Sequence, residues 1–296
     1  MMMRVVNRIL KVVGFEMYRI PSDMRGPVEE TDLAMYRRLY PRESVEGRRF
    51  YNIGGGSFRH PAWTNVEHAS EWYKNNRIDL DWDLMSLSRI PVEDNSAELV
   101  YTSHTIEHVT NAAAAHLFAE ARRILKPGGI LRVTAPNIDL YYRAYRENDR
   151  LFFFWENDPL FTEPDHYRGI GLARPLREVS MAQLFLSEFA SAASTAHSAK
   201  AEKISDDVLE KVFKNKPYAE ALDYCVARCP PESQTLCPGN HINWWNPEKA
   251  ISMLKTAGFQ RVYPSAYGQS RAPVLRNIVL FDCTYPQISF YVEAQK

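Results

Sequence analysis

The chain has 296 residues, 45% of them hydrophobic, and its 36 basic residues are balanced by 36 acidic ones. That length can bury a sizeable core, the zero net charge removes the electrostatic footprint of a dedicated nucleic-acid binder, and no apolar run approaches the ~20 residues of a membrane span. Four cysteines do not make a disulfide scaffold in a chain this long, and no secretory signal pattern is visible, so a reduced, cytoplasmic protein is expected.

Residues 4–19 place Val5, Val6, Ile9, Leu10, Val12 and Val13 among Arg4, Arg8 and Lys11, which suits an amphipathic helix with a basic face. Such a helix docks on the body of the protein or touches a membrane peripherally, within an N-terminal helical element spanning 1–48. Phe50, Tyr51 and Ile53 then form a short strand ending in Gly54-Gly55-Gly56, and a second strand over 63–66 ends at Glu67. Residues 77–84 read as a third strand or its exit, and 97–101 as a fourth after the turn-forming PVEDNS. Residues 111–126 are the clearest helix, with Leu117, Phe118, Ala121, Ile124 and Leu125 on one face; Pro127-Gly128-Gly129 stops it, and 130–135 follows as a buried strand.

From 138 to 240 the strand signal disappears, and aromatic clusters and Ala-rich runs (181–199, 201–213) predict a mostly helical insertion acting as a lid or substrate region. A capped helix over 246–258 and strand-like segments at 260–267, 278–283 and 288–293 return the chain to its core. Strand, helix and strand with glycine at the turns predict a doubly wound parallel α/β sheet, its core split between 49–137 and 241–296.

The glycine turn lets a ligand approach the backbone without a Cβ in the way. A dinucleotide turn needs a helix starting at the glycines to carry the pyrophosphate. Only Ser57 to Ala62 separates these glycines from the next strand, with Pro61 in the gap. An uncharged nucleoside end survives this test better, and S-adenosylmethionine (SAM) is such a ligand. Glu67 is placed to accept hydrogen bonds from both ribose hydroxyls, and Asp83 to meet the adenine amine, with Asp79 and Asp81 as rivals.

YNIGGG at 51–56, NVE at 65–67, IPVEDNSAELVYTSHTIEHV at 90–109 and EARRILKPGGILRVTAPN at 120–137 resemble class I SAM-dependent methyltransferases, nearest the type 11 group and its bacterial members with a short first connection. The resemblance implies a Rossmann-like, seven-stranded sheet whose last strand is antiparallel. It carries the SAM site onto Gly54, Gly56, Glu67, Asp83 and Ser103. Asn52 stands where the family usually has an acid, and Glu67 where Asp is commoner.

His104-Thr105-Ile106-Glu107-His108 also fits the H-x-x-E-H pattern of zinc proteases, but it follows directly on a strand, and the resemblance supplies another place for it. His104 and His241 are the expected general bases. Cys225, Cys229, Cys237 and His241 could supply soft metal ligands, with free buried cysteines the preferred account, and no metal is assigned. Trp244 and Trp245 face the cleft or seal the insertion to the core. Asp139, Tyr141, Tyr142 and Tyr145 border the cleft, and Ser270 and Arg271 reach it from the far side. The expected activity is in-line methylation of an oxygen on a small molecule or sugar; a non-catalytic SAM-binding interaction protein and a zinc metalloprotease are the alternatives.

Overall fold

A computed structural model describes residues 28–71, 74 and 78–296; the basic segment 4–19 and Arg77 lie outside them. Among the described residues no helix is long and apolar enough to cross a membrane. Seven strands, β1 (Phe50–Ile53), β2 (Trp63–Glu67), β3 (Leu80–Asp81), β4 (Ala97–Ser103), β5 (Leu125–Pro136), β6 (Arg261–Pro264) and β7 (Ser289–Gln295), form one sheet in the order β3-β2-β1-β4-β5-β7-β6. Pairing is parallel from β3 through to β5, and β7 runs antiparallel to both of its neighbours. No helix intervenes between β1 and β2, as the short gap with Pro61 requires.

Both faces of the sheet are covered, which is why its central strands are apolar almost throughout. On one face lie the helices Asn111–Ile124 and Pro247–Thr256, contributing Leu117, Phe118, Ile124 and Leu254. The side chains of Thr110 and Asn246 cap their first turns by accepting the backbone N–H groups of Ala113 and Lys249. On the other face the helix Val28–Leu39 and the turn Pro273–Arg276 close over Tyr36, Phe50, Trp63 and Phe281. The insertion has its own core, built on Tyr141, Phe153, Phe185, Phe189 and Trp244.

Three local expectations need correction. The helix stops at Ile124 and LKPGG already belongs to β5, because Gly128 and Gly129 exchange backbone hydrogen bonds with Lys296 (2.7 and 3.0 Å). The Ala-rich runs are helical only over Met181–Ser187 and Asp206–Asn215. Between them the chain folds back: Gln183 accepts from the Thr195 N–H (2.7 Å) and donates to the Ile204 carbonyl (3.0 Å), while the Lys203 ammonium donates to the carbonyls of Ala192, Ser194 and His197. Residues 278–283 are not a strand. Asp282 adopts φ +58° there and turns its carboxylate onto Arg132.

Arg132 sits fully buried in β5, donating to Asp282 (2.9 and 2.6 Å), Glu293 (3.0 Å), the Ser265 hydroxyl and the Ala266 carbonyl. Removing one partner of such a group strands the others in low dielectric. Arg132→Met should therefore destabilise the fold by about 3–5 kcal/mol, read as a lower urea midpoint with an unchanged slope.

Candidate active site

The strand order reverses between β1 and β4, and ligands of open α/β sheets bind at the carboxyl ends beside such a point. Here β1 runs into the glycine turn. Gly54 takes φ +69°, and a Cβ on it would overlap the Thr105 side chain. A Cβ on Gly55 would run into Asn65, whose amide donates to the Gly56 carbonyl (3.0 Å). Gly56 has φ +50° with open space around it, and its N–H donates to Glu67 Oε2 at 3.0 Å. The other Glu67 oxygen accepts the His68 N–H (2.9 Å). Burial raises the Glu67 pKa against these two hydrogen bonds. Each oxygen keeps a second acceptor position.

Gly54, Glu67, Asp83, Thr105, His104 and His108 help to line a cleft of about 500 Å³. Of the three rival aspartates only Asp83 lines it, with its carboxylate held by the Met85 N–H (2.9 Å). Asp79 is taken by Arg48 and the Asn65 N–H, and Asp81 by the Ala69 N–H. Ser103 does not line the cleft. It ends β4 one step short of the His104-Thr105 bend, and Thr105 occupies the wall instead.

A second cavity of about 360 Å³ adjoins the first, sharing His104, His108 and Gly239 with it. Its walls include Tyr141, Trp155, Phe161 and Tyr285, and its polar groups are Glu107, Glu188, His197 and His241. HTIEH spans the end of β4 and a single 3-10 turn, Ile106–His108, rather than one face of an α-helix. Its glutamate lies 3.3 Å from His104 Nδ1 and 3.9 Å from His108 Nε2, and the helical face used by zinc-protease motifs of this pattern is not formed. Burial pushes the Glu107 carboxyl up, but His104, 3.3 Å away, and His108 outweigh it and hold the group at about 2. Glu188 accepts the Trp155 N–H (3.2 Å), its one side-chain partner among the described residues, and burial carries it up to about 8.

His241 donates from Nδ1 to the Glu188 carbonyl (2.6 Å), and burial, followed by the nearby His108 ring, lowers its pKa to about 4. It is therefore neutral near pH 7, with the Nε2 lone pair free. His104 has φ +50°, a conformation costly for a non-glycine residue, and its Nε2 lies 2.8 Å from Ser289 Oγ.

Other expected neighbours lie elsewhere. Tyr141 lines the second cavity, but Tyr142 and Tyr145 pack into the insertion against Phe185. Asp139 accepts from Tyr218 and Asn246. Trp245 donates to the Ile106 carbonyl and Trp244 to Asp223, so both seal the insertion to the core. The Ser270 hydroxyl and Arg271 N–H bind Glu293 behind the sheet, and Arg271 lines a depression at the opposite edge. Cys225 and Cys229 are buried in the insertion and Cys237 contacts the Ile170 carbonyl; they do not gather with His241. Glu188 and His197 line the second cavity and were not singled out by the sequence analysis. The only signal for Glu188 is a lone acid within the apolar run QLFLSEFASAA.

Two outcomes follow for these acids. Glu188 binds a proton in the folded state that the unfolded chain releases, so stability should fall as pH rises from the ordinary carboxylate range to about 8. Glu188→Gln should flatten that decline in melting temperatures taken at pH 6 and pH 9. Glu67→Ala should weaken S-adenosylhomocysteine binding by roughly tenfold or more, as expected for a hydrogen bond to a charged group, with the circular dichroism spectrum unchanged; calorimetry reads the affinity.

Residues 61–133, from the approach to β2 into β5, match the family model of the type 11 methyltransferase domain. No curated protein matches the chain. Solved structures similar to it include a SAM-dependent methyltransferase from Thermotoga maritima, described as a possible histamine N-methyltransferase (14% identity, 90% of this chain and 89% of that one, TM-score 0.35). Others are SAM-dependent methyltransferases from Archaeoglobus fulgidus (12%, 93% and 96%, 0.38) and Mesorhizobium loti (14%, 92% and 99%, 0.36). Likeness at that level transfers no acceptor. Residues 61–133, which supply β2, β3, β4 and much of β5 of a seven-stranded sheet whose last strand is reversed, are thus similar to the methyltransferase domain of the type 11 family, and they lie beside a glycine turn bonded to a carboxylate.

Proposed function

We propose that the chain methylates a hydroxyl oxygen of a small molecule, a saccharide being the favoured class, with the acceptor in the 360 Å³ cavity and the cofactor in the adjoining cleft. Gly54 gives the cofactor room at the backbone, and Gly56 acts through the N–H that orients Glu67. Glu67 takes the ribose hydroxyls and Asp83 the adenine amine. Bound SAM supplies a methyl carbon on a sulfonium that departs as a neutral thioether.

The supporting observation is the polar end of the acceptor cavity, where Glu107 and His241 present acceptor atoms beside the shared His104. A hydroxyl placed there donates inward, which exposes an oxygen lone pair toward the cofactor cleft. Methylation then forms an oxygen–carbon bond while the hydroxyl proton passes to histidine, His104 or His241. Aromatic walls exclude water and fix the ring of a sugar-sized acceptor, and alignment supplies much of the acceleration. An amine acceptor needs no such base once it is neutral.

His104→Asn tolerates the left-handed backbone but cannot act as a base. It should lower kcat for hydroxyl acceptors by about 10²–10⁴-fold while S-adenosylhomocysteine affinity stays within a factor of a few. The assay is thioether-product release across a panel of sugars, phenols and amines. Methyl transfer confined to amines and indifferent to His104→Asn would overturn the oxygen assignment.

A further inference from the structure

Glu107 is 1% exposed, and neither of its carboxylate oxygens accepts a well-formed hydrogen bond. One ligand atom from each of Glu107, His108 and His241 lies within 4.8 Å of the other two. His108 Nδ1 lies 3.1 Å from the Asn240 carbonyl, and His241 Nδ1 lies 2.6 Å from that of Glu188. A carbonyl only accepts, so each ring carries its proton on Nδ1, and in the neutral ring Nε2 presents a lone pair. His108 Nε2 stands 3.9 Å from Glu107 Oε1. Three electron-pair donors thus converge, and their rings are oriented by carbonyls in the manner of metal-ligating histidines.

We infer that Glu107, His108 and His241 form a binding site for one divalent transition-metal ion, open toward the acceptor cavity. Two imidazoles and a carboxylate are the donor set of zinc, manganese, iron or cobalt; magnesium and calcium prefer all-oxygen shells. An ion with bonds of about 2.0–2.1 Å keeps its donors roughly 3.4 Å apart, so modest side-chain rotation closes the set. All three residues line the cavity, as does His104. Under the oxygen-methylation reading, on which this consequence alone rests, the ion holds the acceptor hydroxyl and lowers its pKa. His241 is then a ligand, and the base role falls to His104.

The test uses the full chain, stripped with a chelator and titrated with Co²⁺ by visible absorption and with Zn²⁺ by calorimetry, without any acceptor. One ion per chain is expected, without a thiolate charge-transfer band. Glu107→Gln and His241→Ala should each weaken Co²⁺ binding on the order of 100-fold. Both should keep S-adenosylhomocysteine binding and the wild-type circular dichroism spectrum, and Cys237→Ser should bind Co²⁺ as the wild type does. Absence of stoichiometric binding at submillimolar Co²⁺ overturns the site, as does binding that survives both cavity substitutions or is lost in Cys237→Ser. A chain that binds the ion but methylates only nitrogen keeps the site and loses the oxygen reading. One that methylates hydroxyls without binding the ion does the reverse.

Discussion

The turn after β4 and the segment that returns from the insertion are tied by buried polar groups, and the geometry of the site depends on that tie. The Glu107 carbonyl accepts the Ile242 N–H (2.9 Å), the Ile106 carbonyl accepts Trp245 Nε1 (2.9 Å), and the Val109 carbonyl accepts the Asn243 amide (3.0 Å). Buried backbone carbonyls must be paired, so the 105–109 turn and residues 240–245 need each other. The tie brings the His108 and His241 rings to 4.8 Å between centroids and joins the 360 Å³ cavity to the 500 Å³ cleft.

The two cavities are built on different physics. The 500 Å³ cleft opens on a backbone turn whose φ angles and close contacts with Thr105 and Asn65 admit little but glycine, bonded through Gly56 to one carboxylate. The 360 Å³ cavity holds a small set of titratable groups among aromatic walls. Its two carboxyls, Glu107 at about 2 and Glu188 at about 8, are pushed in opposite directions, because histidines surround the first and burial outweighs the Trp155 hydrogen bond at the second. Near pH 7 one is a charged acceptor and the other a neutral donor. Such a division places a hydrogen-bond acceptor and a hydrogen-bond donor in one pocket.

Buried ion pairs of Arg132 with Asp282 and Glu293 tie β5 to the C-terminal segment. Asp282 is a turn residue with positive φ, and its carboxylate also accepts the Gly268 N–H (3.0 Å). The loop before β7 is therefore held by charge rather than by a ladder, although its apolar residues read as a strand.

Features set by neighbours in sequence were legible without coordinates. The run from Phe50 through the glycines to Glu67 carries its own constraints, since a nine-residue gap containing proline admits no crossover helix. The alternation of strands and helix up to Ala135 follows from periodicity. Glu67 was singled out because strand ends lie on a predictable edge, whereas the structure separated Asp83, which lines the cleft, from Asp79 and Asp81. Tertiary contact alone decided that Thr105 rather than Ser103 walls the cleft, that Glu188 faces His241, and that His241 meets Glu107 instead of the cysteines. Glu107 and His241 lie on either side of the insertion, and its helices leave no periodic trace of where the returning chain will land. Local spacing encodes the direction in which a strand or turn points its side chains. Which distant segment arrives to meet them is set by packing and by the pairing of buried polar groups.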